Sequence, residues 1–168
     1  KLRDSLAPLY PEYFTSYSIP PIASLNEIQV TKDEIVIHYN YGKESQGITA
    51  QAYALLLSKE TKKIIKLKGV DSLEKEIKSF RKKLNQPFKT SKDIITYNKT
   101  SYQLFKKLIP LTLRNEIKGK KLRIIADNII HSVPFEALIT DTLSNRYFIE
   151  SNEISYIYSL SFHKKSTT

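Results

Sequence analysis

The apolar residues of this chain change their period near Asp71, and that change does most to limit the fold. Upstream, in Glu34-Ile-Val-Ile-His-Tyr-Asn-Tyr41, Ile35, Ile37, Tyr39 and Tyr41 alternate with Val36, His38 and Asn40, the period of a strand. A polar turn over Gly42–Gly47 leads into Ile48–Ser58, whose Ala-Tyr-Ala-Leu-Leu-Leu run predicts a buried strand. Lys59–Lys62 turns the chain again, and Lys63–Lys68 returns as an edge-like strand. Three strands on short loops predict an antiparallel meander. From Asp71 to Leu84 the spacing becomes helical, with Leu73, Ile77, Phe80 and Leu84 on one face. Asp71 is the expected cap, with Glu74 completing a capping-box pattern.

The second half continues the mixture. A helix is expected over Ser101–Ile109, with Tyr102, Phe105, Leu108 and Ile109 inward, and Pro110 can open another over Leu111–Ile117. Leu122–Ala126 reads as a short strand. Asp127-Asn128 tolerates a tight turn, predicting a hairpin back through Ile129–His131. Pro134 opens a helical turn over Phe135–Leu138, and Tyr147–Glu150 and Ile154–Tyr158 read as strands. Residues 1–31 hold four of the seven prolines and read as a short helical remnant, Leu2–Leu9, and a connector. Alternating strands and helices predict an α/β layered domain.

Composition narrows the chemistry. Hydrophobic residues at 40% and charged residues at 26% exclude global disorder. No apolar stretch approaches the ~20 residues of a membrane span, and Lys1–Tyr13 lacks a secretory core. Cysteine is absent, so this chain supplies no disulfide, thiolate ligand or thiol nucleophile. Methionine is absent even at the first position, which reads as a segment of a longer protein. The formal charge of +10 is concentrated in the middle: Lys59–Lys89 and Thr90–Ala126 each carry +7. Such a region can attract nucleic acid, an anionic membrane surface or an acidic protein. Most of its cations are lysines, however, whereas specific nucleic-acid sites favour arginine forks and stacked aromatics, so structural or compositional lysine on solvated helix faces is the expected reading, ahead of nucleic-acid binding.

Few residue patterns in the chain point to a site. His38, His131 and His163 are far apart and form no zinc-binding spacing. The four glycines build neither a dinucleotide loop nor a P-loop, so no cofactor is expected. No serine sits in a nucleophile elbow. A turn-associated structural role is expected for His131 and for Asp127. No catalytic, metal or cofactor residue is assigned.

One stretch carries a resemblance. Leu122-Arg-Ile-Ile-Ala-Asp-Asn-Ile-Ile-His-Ser-Val-Pro-Phe-Glu-Ala-Leu138 resembles the signature of CHAT domains, caspase-like peptidase-related domains commonly attached to tetratricopeptide repeats. Asp127, Pro134, Phe135, Ala137 and Leu138 match that signature; Asn128 stands where the family usually has Gly, and Ile130 where it has Leu. Asn can adopt the turn conformation that Gly supplies there. Tyr147-Phe-Ile-Glu150, Ile154–Ser159, Asp33–Tyr39 and Ser101–Pro110 resemble flanking parts of the family pattern.

The resemblance implies an α/β, caspase-like layered sheet with flanking helices, of which this chain is the N-terminal portion. Residues 1–24 would end a repeat helix and link into residues 25–168. The family's catalytic pair, a His followed by Gly and a later Cys, has no match here, so the chain is expected to be a scaffold without activity of its own. Its expected partners are the C-terminal half of the domain, adjacent repeats, a protein substrate or partner, and a second copy through an unpaired edge. A bacterial source and a cytoplasmic location are the default expectations. The alternative from another class is a stand-alone interaction or regulatory module.

Overall fold

A computed structural model describes residues 28–160 together with Pro8. The remnant helix and linker expected in residues 1–24 therefore lie, apart from Pro8, outside the described residues. Gln29–Ser159 form one compact unit.

Its centre is a five-stranded mixed sheet in the order β3-β2-β1-β4-β7. The strands are β1 (Glu34–Gly42), β2 (Gln51–Leu57), β3 (Lys62–Lys66), β4 (Lys121–Ala126) and β7 (Glu153–Tyr156). The first three form the expected antiparallel meander, with β3 at the edge. β4 lies parallel to β1, and β7 parallel to β4. Parallel neighbours need a crossover. Here it is made by β2, β3 and three helices: α1 (Leu73–Leu84), α2 (Ser91–Leu108) and α3 (Leu111–Ile117). A two-stranded ribbon, β5 (Ile139–Asp141) with β6 (Arg146–Tyr147), stands apart from the sheet. Among the described residues no helix is long and apolar enough to cross a membrane.

The period-two pattern of β1 becomes a packed face. Ile35, Ile37, Tyr39 and Tyr41 enter the core with Leu73, Ile77 and Phe80 of α1 and Leu104, Phe105 and Leu108 of α2. Register explains how two tyrosine rings fit: Tyr39 lies beside Ala54 and Tyr41 beside Ala52, so small neighbours make room for large ones. On the opposite face Val36, Leu57 and Ile125 are also buried.

Four local expectations are corrected. Ser72, not Asp71, is the N-cap of α1, and it forms no side-chain bond to the helix backbone. Its hydroxyl donates to the Glu76 carboxylate at 2.5 Å instead. α2 begins at Ser91, ten residues before the expected start, under a capping box in which Thr90 Oγ1 accepts from Asp93 N–H and Asp93 accepts from Thr90 N–H. No hairpin follows Asp127-Asn128. The chain coils into a 3-10 helix, Asn128–Ser132, closed at its end by the three-residue bond from Val133 N–H to Ile130 O. Likewise the strand expected over Tyr147–Glu150 stops at Tyr147, the end of β6: Phe148–Glu150 is a 3-10 turn that buries Phe148 against Phe105, ring centroids 5.3 Å apart.

Candidate functional site

The stretch from Asp127 to Leu138 leaves the carboxyl end of β4 and ties together three parts of the fold. Its first residue reaches sideways. Asp127 accepts Tyr41 N–H at 2.8 Å and Asn40 Nδ2 at 2.7 Å, which fixes the end of β4 to the end of β1. Asn128 follows in the left-handed region at φ 47°, and its Nδ2 donates to Tyr41 O at 2.7 Å. Glycine would allow the same backbone, but only the amide side chain adds this bond.

Pro134 then starts a 3-10 turn, Phe135–Ala137, that drives Phe135 into the core. The Phe135 ring stacks on Tyr39 at 5.2 Å, and Phe135 N–H donates to Tyr156 Oη at 2.8 Å. Tyr39 in turn donates to Leu108 O at 3.0 Å, carrying the contact to the end of α2. Ala137 O accepts from Tyr97 Oη at 2.8 Å and from Ser101 Oγ at 3.3 Å, and Ser101 Oγ accepts Ile139 N–H at 2.8 Å. Leu138 is fully buried, and its carbonyl accepts Phe148 N–H at 2.8 Å. Asp127, Asn128, Phe135, Ala137 and Leu138 thus each contact β1, β7, α2 or the core.

Sequence reasoning missed Tyr97, Ser101, Asn40 and Tyr156 as partners. A signal was available for two of them: Tyr97, Ser101, Leu104 and Leu108 share one helical face, so Ser101 is a polar residue in an apolar stripe. A buried hydroxyl in that position requires a partner.

Beside this corner lies a cleft of about 590 Å³. The end of α1 (Arg81, Leu84), the corner (His131 to Pro134, Glu136) and the outgoing chain at Tyr156 and Tyr158 line it. It opens at the carboxyl ends of parallel strands, where open α/β sheets hold their sites. Tyr156 donates to the Glu136 carboxylate, and burial, reinforced by that bond, pushes its phenol well above the ordinary value. It is therefore a neutral donor at physiological pH. His131 stands exposed at the rim. His38 is half-buried, and burial lowers its pKa against the opposing pull of Asp127. His163 lies outside the described residues. The Ser132 hydroxyl is committed to Ile129 O at 2.7 Å. Among the described residues no group of His, Cys, Asp and Glu could hold a metal ion. These groups position and bind; none forms a nucleophile–base pair.

The comparison with known families bears on this region. Residues 98–167 match the family model of the CHAT domain. Over that stretch the chain is similar to CHAT domains. No curated protein matches the chain. The match starts within α2 and takes in α3, β4, the corner, β5, β6 and β7. The mixed sheet with helices packed on it is the α/β, caspase-like class of fold. The meander and α1 precede the matched stretch but share one core with it.

Proposed function

We propose that this chain is the N-terminal scaffold of a CHAT peptidase or pseudo-peptidase domain within a larger, repeat-containing bacterial protein of the cytoplasm. In this reading residues 1–24 end a repeat and link into the domain, which begins near residue 25. The carrying observation is that Asp127, Asn128, Phe135 and Ala137 are engaged in joining β4 and the corner to β1 and α2, and Leu138 in holding the turn at Phe148. The chain has no cysteine, so a thiolate nucleophile has to come from outside these residues. Among the described residues β7 pairs only with β4, which supports a further strand of the same domain at that edge.

The test is to read the parent frame beyond the codon for Thr168 and assay the products. A His-Gly and a later Cys, with peptide hydrolysis by the extended protein and none by the present chain, is the expected result. Hydrolysis by the present chain through repeated purification would overturn the scaffold reading. A frame that lacks the pair favours the second reading, a non-catalytic interaction module. The two also separate by sedimentation: an unpaired β7 edge predicts self-association that grows with concentration, a finished module a stable monomer.

A further inference from the structure

The opposite edge of the sheet carries a surface that the CHAT reading does not use. β3 pairs only with β2 among the described residues, and along its outer edge the backbone groups of Ile64 and Lys66 face away from β2. Next to it, between β3 and the junction of α2 with α3, runs a groove of about 800 Å³. Its floor is apolar, with Ile65, Pro110 and a Leu111 that is 71% exposed. Its cations are Lys66, Lys68, Lys106, Lys107 and Arg114. Lys107 is neutralised by Glu76 at 2.5 Å. Among the described residues no carboxylate forms an ion pair with the other four.

We propose that β3 and this groove bind an extended acidic peptide. The peptide backbone adds a strand to β3, its carboxylates meet Lys66, Lys68 and Lys106, and an apolar side chain rests on Ile65 and Leu111. Lysines on the strand itself could serve only to deter edge-to-edge pairing. Lys68 and Lys106 lie off the strand, where that purpose does not need them. Nucleic acid fits less well, because the aromatic faces near the groove are already covered. Lys106 sits over Tyr102 at 4.9 Å and Arg114 over Phe105 at 4.7 Å, leaving nothing for a base to stack on. A strand edge, moreover, offers carbonyls as well as N–H groups, and only a peptide satisfies both.

The experiment is fluorescence anisotropy on the whole chain with four labelled probes. These are a peptide alternating glutamate with valine, its lysine-for-glutamate counterpart, the acidic peptide N-methylated at alternate residues, and oligouridine RNA. Saturable binding of the acidic peptide alone is expected, weakened at least about tenfold by the double variant Lys68→Glu/Lys106→Glu and further reduced by salt. Circular dichroism checks that the variant is folded, and Lys82→Glu/Lys92→Glu, which reverses two charges away from the groove, should leave binding unchanged. No binding of the acidic peptide, equal binding of its basic counterpart or undiminished binding of the methylated peptide would each overturn the proposal. So would tighter binding of RNA that the same double variant removes.

Discussion

Replacing Ser101 by Ala isolates the joint between α2 and the corner. Ser101 is fully buried, and its hydroxyl serves two backbone groups in different ways. It is the acceptor for Ile139 N–H at 2.8 Å and a second, longer donor to Ala137 O at 3.3 Å. Removing it strands the buried N–H, at about 1–3 kcal/mol, while Ala137 O keeps its bond from Tyr97. The gain in helix propensity from Ser to Ala returns about 0.5 kcal/mol. A net loss of about 1–2.5 kcal/mol is expected, read as a lower urea midpoint at unchanged slope. Far-UV circular dichroism is the probe, since the chain has no tryptophan. Tyr97→Phe should cost less, about 0.5–1.5 kcal/mol, because the carbonyl it leaves still holds Ser101. The double variant deprives Ala137 O of both donors, so its loss should exceed the sum by at least about 0.5 kcal/mol. A Ser101→Ala variant within about 0.5 kcal/mol of the parent, or strict additivity, would refute the assignment of this hydroxyl as the joint.

Two further outcomes follow from single residues. Asn128 holds a left-handed backbone and donates to Tyr41 O, so Asn128→Ala loses both the tolerance and the bond and should cost about 1–2 kcal/mol. Asn128→Gly loses only the bond and should cost less than half as much, a ranking that thermal or urea unfolding resolves. Burial, aided by Tyr147, pushes the Tyr97 phenol up to about 12 from an unfolded value of 10.0. The folded state therefore holds that proton more tightly: its contribution is intact below pH 10 and is lost as pH rises from 10 toward 12. Urea midpoints across that window should fall, and Tyr97→Phe should fall less steeply; equal slopes would sink the assignment.

How far the sequence disclosed this depends on the range of the interaction concerned. The meander and the inward face of α1 were legible because their patterns are local: alternation in Glu34–Tyr41, and Leu73, Ile77 and Phe80 on a helical spacing. The first turns of α2 escaped because Ile94 and Ile95 point outward while Asn98 and Ser101 point in, the reverse of an amphipathic helix. Nothing in Lys121–Ala126 distinguishes a parallel from an antiparallel neighbour, since its register against Glu34–Tyr39 depends on residues some 87 positions away. Asp127-Asn128 was read correctly as a tight turn and wrongly as a hairpin. A left-handed Asn starts either structure, and the local bonds from His131 N–H to Asp127 O and from Val133 N–H to Ile130 O keep the chain coiled instead of returning it beside β4. The CHAT signature was visible as a pattern of letters, but its work was not, because each bond it makes goes to a distant element.

Asp127 shows that work most directly. β1 and β4 run parallel, so no turn joins their carboxyl ends, and the Asp127 carboxylate bridges them by accepting from Tyr41 N–H and Asn40 Nδ2. The two bonds are unequal in what their loss leaves behind. The Asn40 amide is exposed and can turn to water, whereas Tyr41 is buried and its N–H has no such recourse. Asp127→Asn keeps an oxygen for Tyr41 N–H but sets its own amide against that of Asn40, donor facing donor. It should therefore cost about 1 kcal/mol, and Asp127→Ala, which keeps neither acceptor, about 2–3 kcal/mol. Native-state hydrogen exchange reads the cause as well as the size: the Tyr41 amide should lose protection in Asp127→Ala and keep most of it in Asp127→Asn. If both variants match the parent in stability and in Tyr41 exchange, the strand ends are held by core packing alone, and the carboxylate at the head of the CHAT corner has to be explained by something other than joining β1 to β4.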